Sequence, residues 1–117
     1  MRLTLYVFHL ACNSPFGVER GGSILDSHMT SLSKSDDTHT AGHGRLYGDT
    51  SWCSTVKANR EYLQVDLGKM VTLTGIATQG DNTMDKWVKT YTLKYSIDGS
   101  VWNDYREGQA SAKVLAV

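Results

Sequence analysis

The sequence predicts a single all-β domain, and three observations support this fold class. The chain has 117 residues, which is room for one domain of ordinary size. Several segments alternate apolar and polar residues with a period of two, as half-buried antiparallel strands do. No segment of about ten residues shows the period of roughly 3.6 that an amphipathic helix requires. Together these observations predict a small sheet protein.

Four strands are predicted from this alternation and from the turn residues between them. Residues 61–68 alternate most regularly, and a glycine turn separates them from a second strand at 71–78. A third strand covers 88–96. It is followed by Asp98-Gly99, a dipeptide typical of tight β-hairpins, and by a short strand at 101–102.

The charge of the chain excludes two classes of partner. The 12 basic and 12 acidic side chains cancel, so the formal net charge is zero. A nucleic-acid-binding surface needs a basic excess to release counterions from phosphates. Purely electrostatic attachment to acidic membranes needs a basic excess too. The sequence also contains no apolar run near the roughly 20 residues of a transmembrane helix.

The first eleven residues, MRLTLYVFHLA, have two interpretations. A basic start, a short apolar run and a small residue are the parts of a secretory signal. However, His9 interrupts the apolar run and stands three residues before a cut after Ala11, where a small residue is preferred. A first β-strand or a leftover upstream segment explains the same residues. Residues 1–11 are therefore assigned as a separate segment, ahead of a domain at 12–109.

Four blocks of sequence follow one another in a specific order. They are CNSPFGVERGGSILDSHMTS from Cys12, then GRLYGDTSWC, then EYLQVDLGKMVTLTGIATQG, and finally WVKTYTLKYSIDGSVWNDY. In the order and spacing of these blocks the chain resembles the discoidin domain, also called the coagulation factor 5/8 type C domain. A single block would be weak support, because alternating apolar residues are common. Four blocks in order are strong support.

The resemblance implies a distorted jelly-roll β-barrel or sandwich of about eight strands with protruding loops at one end. By position these loops are residues 31–44, 54–60 and 80–87, here named loop 1, loop 2 and loop 3. All three lie in polar stretches outside the predicted strands, and sheet proteins commonly bind ligands in such loops. Members of the family are non-catalytic modules of secreted proteins or ectodomains. They bind anionic phospholipid, collagen, carbohydrate or protein.

Two features depart from the family pattern. Residues 110–117 match nothing expected, and the resemblance implies further strands and a closing cysteine beyond them, so the domain is expected to be incomplete. The resemblance implies that the cysteine matching Cys12 usually pairs with the closing one, and that in the subgroup with a Trp-Cys pair like Trp52-Cys53 this second cysteine also pairs near the C-terminal end. We therefore expect no bridge between Cys12 and Cys53, although counting two cysteines would pair them.

Loop 1 contains the side chains of a zinc site but not a zinc motif. His39 and His43 are four residues apart, close to Asp36 and Asp37, and His28 is nearby in sequence. No helix places the histidines on one face and no HExxH pattern is present, so solvated loop histidines are expected. No GxSxG motif is present either. The sequence predicts no enzyme, and a loop metalloenzyme remains a minor hypothesis.

No cofactor is predicted, and calcium is the open alternative. The resemblance places a calcium-binding loop of some relatives at residues 47–50, where Asp49 and Thr50 offer hard oxygen ligands. A polar turn before Trp52 explains the same two residues without an ion.

The loops favour a glycan or protein ligand over phospholipid. Loops that enter membranes carry apolar tips, whereas loop 1 offers Leu32 and loop 3 offers Met84, with Trp87 expected in the core. Two scattered apolar side chains bury little area, and nearby aspartates repel anionic lipid. The candidate ligand-binding residues are Lys34, Asp36, Asp37, His39, His43, Tyr47, Lys57, Asn59, Asp81, Asn82, Met84 and Lys86.

The predicted function is therefore that of an extracellular adhesion or recognition module, with Tyr47 as the candidate aromatic platform for a sugar. The alternative is a targeting module, or a fragment of a larger receptor or enzyme, that has no activity of its own.

Overall fold

The computed structural model describes residues 2–4 and 16–116 of the chain. Of the segment assigned at residues 1–11, only residues 2–4 are therefore described, and Cys12 lies outside the described residues. The chain divides into two compact units, the first ending at Trp87 and the second beginning at Val88. None of the described residues belongs to a helix long and apolar enough to cross a membrane.

The described residues contain eight short strands and two single-turn 3₁₀ helices, with no α-helix among them. The strands are β1 Arg2–Thr4, β2 Met29–Ser31, β3 Leu63–Val65, β4 Ala77–Gln79, β5 Thr90–Thr92, β6 Lys94–Tyr95, β7 Asn103–Asp104 and β8 Val114–Ala116. The 3₁₀ helices are Asp26–His28 and Ala41–His43. The all-β fold class is confirmed.

The first unit contains two antiparallel strand pairs, β1 with β4 and β2 with β3. In the second pair, Met29 lies opposite Val65 and Ser31 lies opposite Leu63. The alternation predicted for residues 61–68 thus places the apolar Leu63 against the core, where it and Met29 are buried.

Loops supply most of the core of this unit. Among the residues whose burial is described, the buried apolar ones are Val18, Ile24, Met29, Ala41, Leu46, Trp52 and Leu63. Of these, Met29 and Leu63 alone lie on strands. Loop 1 crosses the core closely at Gly44, where a Cβ atom would lie 2.9 Å from the Leu63 side chain. Loop 1 is therefore held by the core at its C-terminal end.

The second unit pairs β5 with β8 and β6 with β7, both antiparallel. The predicted hairpin turn is present between β6 and β7, with Gly99 at a φ of 75°. The Asp98 carboxylate accepts hydrogen bonds from the N–H groups of Val101 (3.0 Å) and Ser100 (2.8 Å). These bonds lower the pKa of Asp98, because they favour its charged form.

Strand boundaries differ from the predicted ones because a strand needs a partner as well as an alternating sequence. In the region predicted at 71–78, the strand begins at Ala77, where β4 meets β1. The region at 88–96 is interrupted at Leu93, since β5 pairs with β8 and β6 pairs with β7. Pairing after the hairpin begins at Asn103, not within 101–102. The divergent segment 110–117 contributes β8.

One core prediction is wrong. Trp87 was expected in the core at the start of a strand, but its side chain is 50% exposed. The next strand begins only at Thr90. Without a strand to turn the indole inward, Trp87 adds apolar surface to loop 3.

Candidate functional site

Loop 1 is tied to the segment that leads into loop 2 by hydrogen bonds. The Ser35 N–H donates to the Cys53 carbonyl (2.8 Å), and the Cys53 N–H donates to the His39 carbonyl (3.3 Å). At the start of loop 2, the Thr55 hydroxyl donates to the Lys34 carbonyl (2.9 Å). These bonds fix the two loops against each other, so they form one surface.

Trp52 anchors this surface to the core. Its ring is buried, and its Nε1–H donates to the Ser33 carbonyl (2.8 Å). The Ser33 hydroxyl in turn donates to the Glu61 carboxylate (2.7 Å). A buried indole with its polar group paired holds both loops rigidly.

His39 is not the solvated loop histidine that the sequence predicted. Its side chain is only 13% exposed, and its Nδ1 lies 2.8 and 3.0 Å from the two carboxylate oxygens of Asp36. Asp36 also accepts hydrogen bonds from the Thr38 hydroxyl (2.7 Å) and N–H (2.8 Å). The bonds from Thr38 and His39 lower the pKa of Asp36, so that its carboxylate is ionised. Because a carboxylate only accepts, the His39 Nδ1 carries the proton.

Asp81, predicted as a ligand contact in loop 3, is a structural residue with a fully buried side chain (0% exposed). One of its oxygens accepts a hydrogen bond from the Ser51 hydroxyl. The other oxygen accepts from the Thr83 N–H (2.6 Å), the Thr83 hydroxyl (2.7 Å) and the Met84 N–H (2.9 Å). Burial alone would raise the pKa of Asp81, but these hydrogen bonds outweigh it and lower the pKa.

The side chains of His39, Cys53 and Asp81 converge between the loops. The His39 Nε2, the Cys53 Sγ and a carboxylate oxygen of Asp81 all lie within 4.8 Å of one another. Nε2 is 4.0 Å from the Asp81 Oδ2 and is buried without a hydrogen-bond partner. Within the described part of the chain, Cys53 forms no disulfide. The sequence does not reveal this cluster, because its members lie 14 and 28 residues apart and share no motif.

His43 does not join His39. Its Nδ1 accepts a hydrogen bond from the Thr40 N–H (3.2 Å) and contacts the Thr40 hydroxyl (2.8 Å), which caps the second 3₁₀ helix. Among the described residues, the group of potential metal ligands that contains His39 is completed by Cys53 and Asp81 rather than by a second histidine. The pair predicted for a loop metalloenzyme is therefore not assembled.

Tyr47 is presented to solvent by a strained turn. It has a φ of 60°, unusual for a residue other than glycine, and its side chain is 63% exposed. The Tyr47 N–H donates to the Gln79 side chain (3.0 Å). On the same turn, Asp49 is paired with Arg20 at 2.6 Å. The turn at residues 47–50 thus carries an exposed aromatic ring and one member of a charged pair.

The two predicted calcium ligands both contact protein groups. The Arg20 guanidinium neutralises Asp49, and the Thr50 hydroxyl donates to the Thr38 carbonyl (2.9 Å). These contacts account for a polar turn before Trp52, and calcium binding here stays a prediction.

The other predicted ligand contacts lie on the surface of the loops. Lys34 pairs with Asp37 within loop 1 at 2.6 Å. The remaining predicted residues are exposed, and they are Lys57 and Asn59 in loop 2 and Asn82, Met84 and Lys86 in loop 3. Leu32 and Trp87 are also exposed. The loops therefore present a mixed surface, mostly polar with a few apolar side chains.

Comparison with known proteins agrees with this architecture. The F5/8 type C domain family matches residues 28–115. Neuropilin-2 of Rattus norvegicus is 40% identical over 103 residues, which are 84% of this chain and 11% of that protein. Coagulation factor V of Mus musculus is 34% identical over 105 residues, 82% of this chain and 5% of that protein. Discoidin-1 of Dictyostelium discoideum is 28% identical over 98 residues, 75% of this chain and 39% of that protein.

Proposed function

Because the chain belongs to the F5/8 type C (discoidin) domain family, we propose that it is a non-catalytic extracellular recognition module. It binds a glycan or a protein ligand through the turn at residues 47–50 and the surface formed by its loops. One observation supports this proposal above the others. The backbone of Tyr47 has an unfavourable positive φ, and its aromatic side chain is exposed to solvent.

The backbone conformation of Tyr47, with a φ of 60°, carries an energetic cost. A non-glycine residue in the left-handed region costs about 1–2 kcal/mol, and such strain concentrates at functional sites. The surrounding turn is held in place by the Tyr47 bond to Gln79 (3.0 Å) and by the Arg20 N–H bond to the Leu46 carbonyl (2.9 Å). The backbone that carries the ring is therefore fixed before any ligand arrives, which reduces the entropy lost on binding.

The groups beside Tyr47 suit hydroxyl-rich ligands. Sugar rings present an apolar face and polar edges, so they pair with an aromatic ring and adjacent charged donors and acceptors. Asp49, two residues after Tyr47 in the chain, and its partner Arg20 provide an acceptor and a donor, and both side chains are well exposed. A protein ligand uses the same combination, since Tyr and Arg are the residues most often central to protein interfaces.

Phospholipid remains the less favoured ligand, although the exposed Trp87 adds apolar surface that could enter a membrane. Leu32, Met84 and Trp87 are each about a third to half exposed, so the loops hold more apolar surface than the sequence predicted. Asp37 and Asp85 are exposed on the same loops and repel anionic headgroups. Asp81 adds no such repulsion, because its side chain is buried.

A role within a larger protein is the second candidate function. The chain spans 5–39% of the length of the curated relatives compared above. In those proteins the matching domain is one part of a longer chain. The same recognition surface would then serve as a targeting module.

The proposal is tested by screening the folded chain on an array of glycans, together with Tyr47→Ala and the control Tyr62→Ala. Tyr62 is also an exposed tyrosine, at 48%. We expect Tyr47→Ala to weaken any specific binding by about tenfold or more, equivalent to about 1.4 kcal/mol, and Tyr62→Ala to bind normally. Binding to phosphatidylserine vesicles but to no glycan or protein would overturn the proposed ligand class.

A further inference from the structure

We propose that His39, Cys53 and Asp81 form a binding site for a divalent transition metal of the zinc type. This site is separate from the ligand-binding surface proposed above and does not rest on that function.

The three ligand atoms are already close to the separations that a metal requires. They lie within 4.8 Å of one another. A tetrahedral zinc ion, with bonds of about 2.0–2.3 Å, holds such atoms roughly 3.3–3.7 Å apart. The ligand atoms therefore need to approach one another by about 1 Å to close the site around an ion.

His39 is oriented as a metal ligand. Its Nδ1–H donates a hydrogen bond to the Asp36 carboxylate at 2.8 Å. In many metal sites a carboxylate that does not bind the metal fixes the ring of a metal-bound histidine in this way. The lone pair of Nε2 is thereby directed into the cluster. This atom is buried without a hydrogen-bond partner, a costly state that a metal ion would relieve.

The chemistry of the ligands selects the class of ion. A thiolate and an imidazole favour zinc and similar transition metals, whereas calcium and magnesium prefer sets of oxygen ligands. The thiolate of Cys53 and the carboxylate of Asp81 together balance the two positive charges of the ion. Ser51 supports both ligands, since its hydroxyl donates to Asp81 and lies 3.5 Å from the Cys53 sulfur.

Each ligand comes from a different part of the chain. His39 lies in loop 1, Cys53 leads into loop 2, and Asp81 lies in loop 3. An ion bound to all three connects these segments and stabilises the folded state increasingly as the free metal concentration rises above the Kd. The site therefore acts as a metal-dependent clamp on the loops of the first unit.

The test uses the full chain with Cys12→Ser, so that Cys53 is the one remaining thiol of the two in the sequence. Zn²⁺ affinity is measured by competition with a chromogenic chelator, and Co²⁺ is added to detect thiolate-to-metal absorption. The ligand variants are His39→Ala, Cys53→Ser and Asp81→Asn. His43→Ala is the matched control, because His43 is an exposed histidine of the same loop.

We expect one Zn²⁺ per chain, and an affinity at least about 100-fold weaker in each ligand variant. Asp36→Asn is expected to weaken the Zn²⁺ affinity by about 10–100-fold, because Asp36 orients the metal-bound histidine. His43→Ala should leave the affinity unchanged. Stoichiometric binding that survives Cys53→Ser, or no binding at micromolar Zn²⁺, would overturn the proposal.

A second measurement keeps the test valid where a ligand variant fails to fold. Zn²⁺ should slow the alkylation of Cys53 by iodoacetamide in the Cys12→Ser protein by at least about tenfold, because a metal-bound thiolate is withheld from the reagent. Asp36→Asn removes an exposed carboxylate and should weaken this protection. Alkylation that Zn²⁺ leaves unchanged would contradict the site without reference to any ligand variant.

Discussion

Asp81 provides the sharpest test of how the loops are held, because its buried carboxylate joins loop 3 to the segment before loop 2. In Asp81→Ala, the hydroxyl of Ser51 loses its acceptor, and the N–H groups of Thr83 and Met84 lose theirs. Ser51 is wholly buried, so water cannot replace the lost carboxylate there without opening the structure.

The magnitude follows from these contacts. A buried donor left unsatisfied costs about 1–3 kcal/mol. The turn at Thr83 and Met84 is partly hydrated, so its lost bonds add about 1 kcal/mol in total. Asp81→Ala should therefore lower the free energy of unfolding by about 2–4 kcal/mol. With an m-value of about 1–1.5 kcal/mol/M for a chain of this size, the urea midpoint falls by roughly 2 M.

The assay is urea unfolding followed by tryptophan fluorescence, with a chelator present so that bound metal does not contribute. Asp85→Ala is the control, since Asp85 is an exposed aspartate of the same loop, and it should change stability by less than about 0.5 kcal/mol. The double variant Ser51→Ala/Asp81→Ala should recover part of the loss, because both partners are then removed. Equal stability of Asp81→Ala and Asp85→Ala would refute the reasoning.

Two further predictions concern the backbone and the effect of acid. Gly17→Ala should destabilise the chain by at least about 2 kcal/mol more than Gly21→Ala. Both glycines have positive φ, so both substitutions strain the backbone. At Gly17 the new Cβ would also lie 2.8 Å from the Ser23 nitrogen, whereas at Gly21 it would meet no atom within 4 Å. Equal urea midpoints for the two variants would count against this prediction. Acid should also destabilise the fold. The pKa values of Asp36 and Asp81 lie below the ordinary value of about 3.9, so their stabilising effect is complete above that pH and is lost as the pH falls through the folded-state pKa values. As the pH is lowered below about 4, the urea midpoint of unfolding should decrease, and it should decrease less steeply in Asp81→Asn. A urea midpoint that increases as the pH is lowered would contradict the predicted direction of the pH effect.

Local features of the fold could be predicted from the sequence. The alternation around Leu63 and the Asp98-Gly99 turn depend on a few neighbouring residues, and both occur as expected. Each strand also needs a partner, which is set by residues far away in the chain. The region 71–78 alternates well, and among the described residues its pairing with another strand is limited to the part in Ala77–Gln79.

The candidate site was harder to predict for the same reason. His39 and Asp81 were chosen as exposed ligand contacts because their neighbours in sequence are polar. Their actual surroundings come from Asp36, Ser51 and Cys53, and no local pattern encodes that convergence. The Trp52-Cys53 pair is the one sequence signal, since it places a thiol directly beside the buried anchor of the loops.

The two proposals place ligand recognition and metal binding at different residues of the first unit. Tyr47 and the Arg20–Asp49 pair are exposed and face solvent, whereas the residues of the proposed metal site are half-buried or buried. Variants of the metal site should therefore change stability in the presence of Zn²⁺. Variants of the Tyr47 surface should change ligand binding and leave stability nearly unchanged.

The most direct test of the recognition function is the binding of the labelled chain to intact cells, compared among the wild-type chain, Tyr47→Ala and Tyr62→Ala. We predict saturable binding by the wild-type chain and Tyr62→Ala, and binding weaker by about tenfold or more for Tyr47→Ala. Enzymatic removal of surface glycans then separates a glycan ligand from a protein ligand. Saturable binding that Tyr47→Ala retains in full, or no saturable binding to any cell type, would contradict the proposed function.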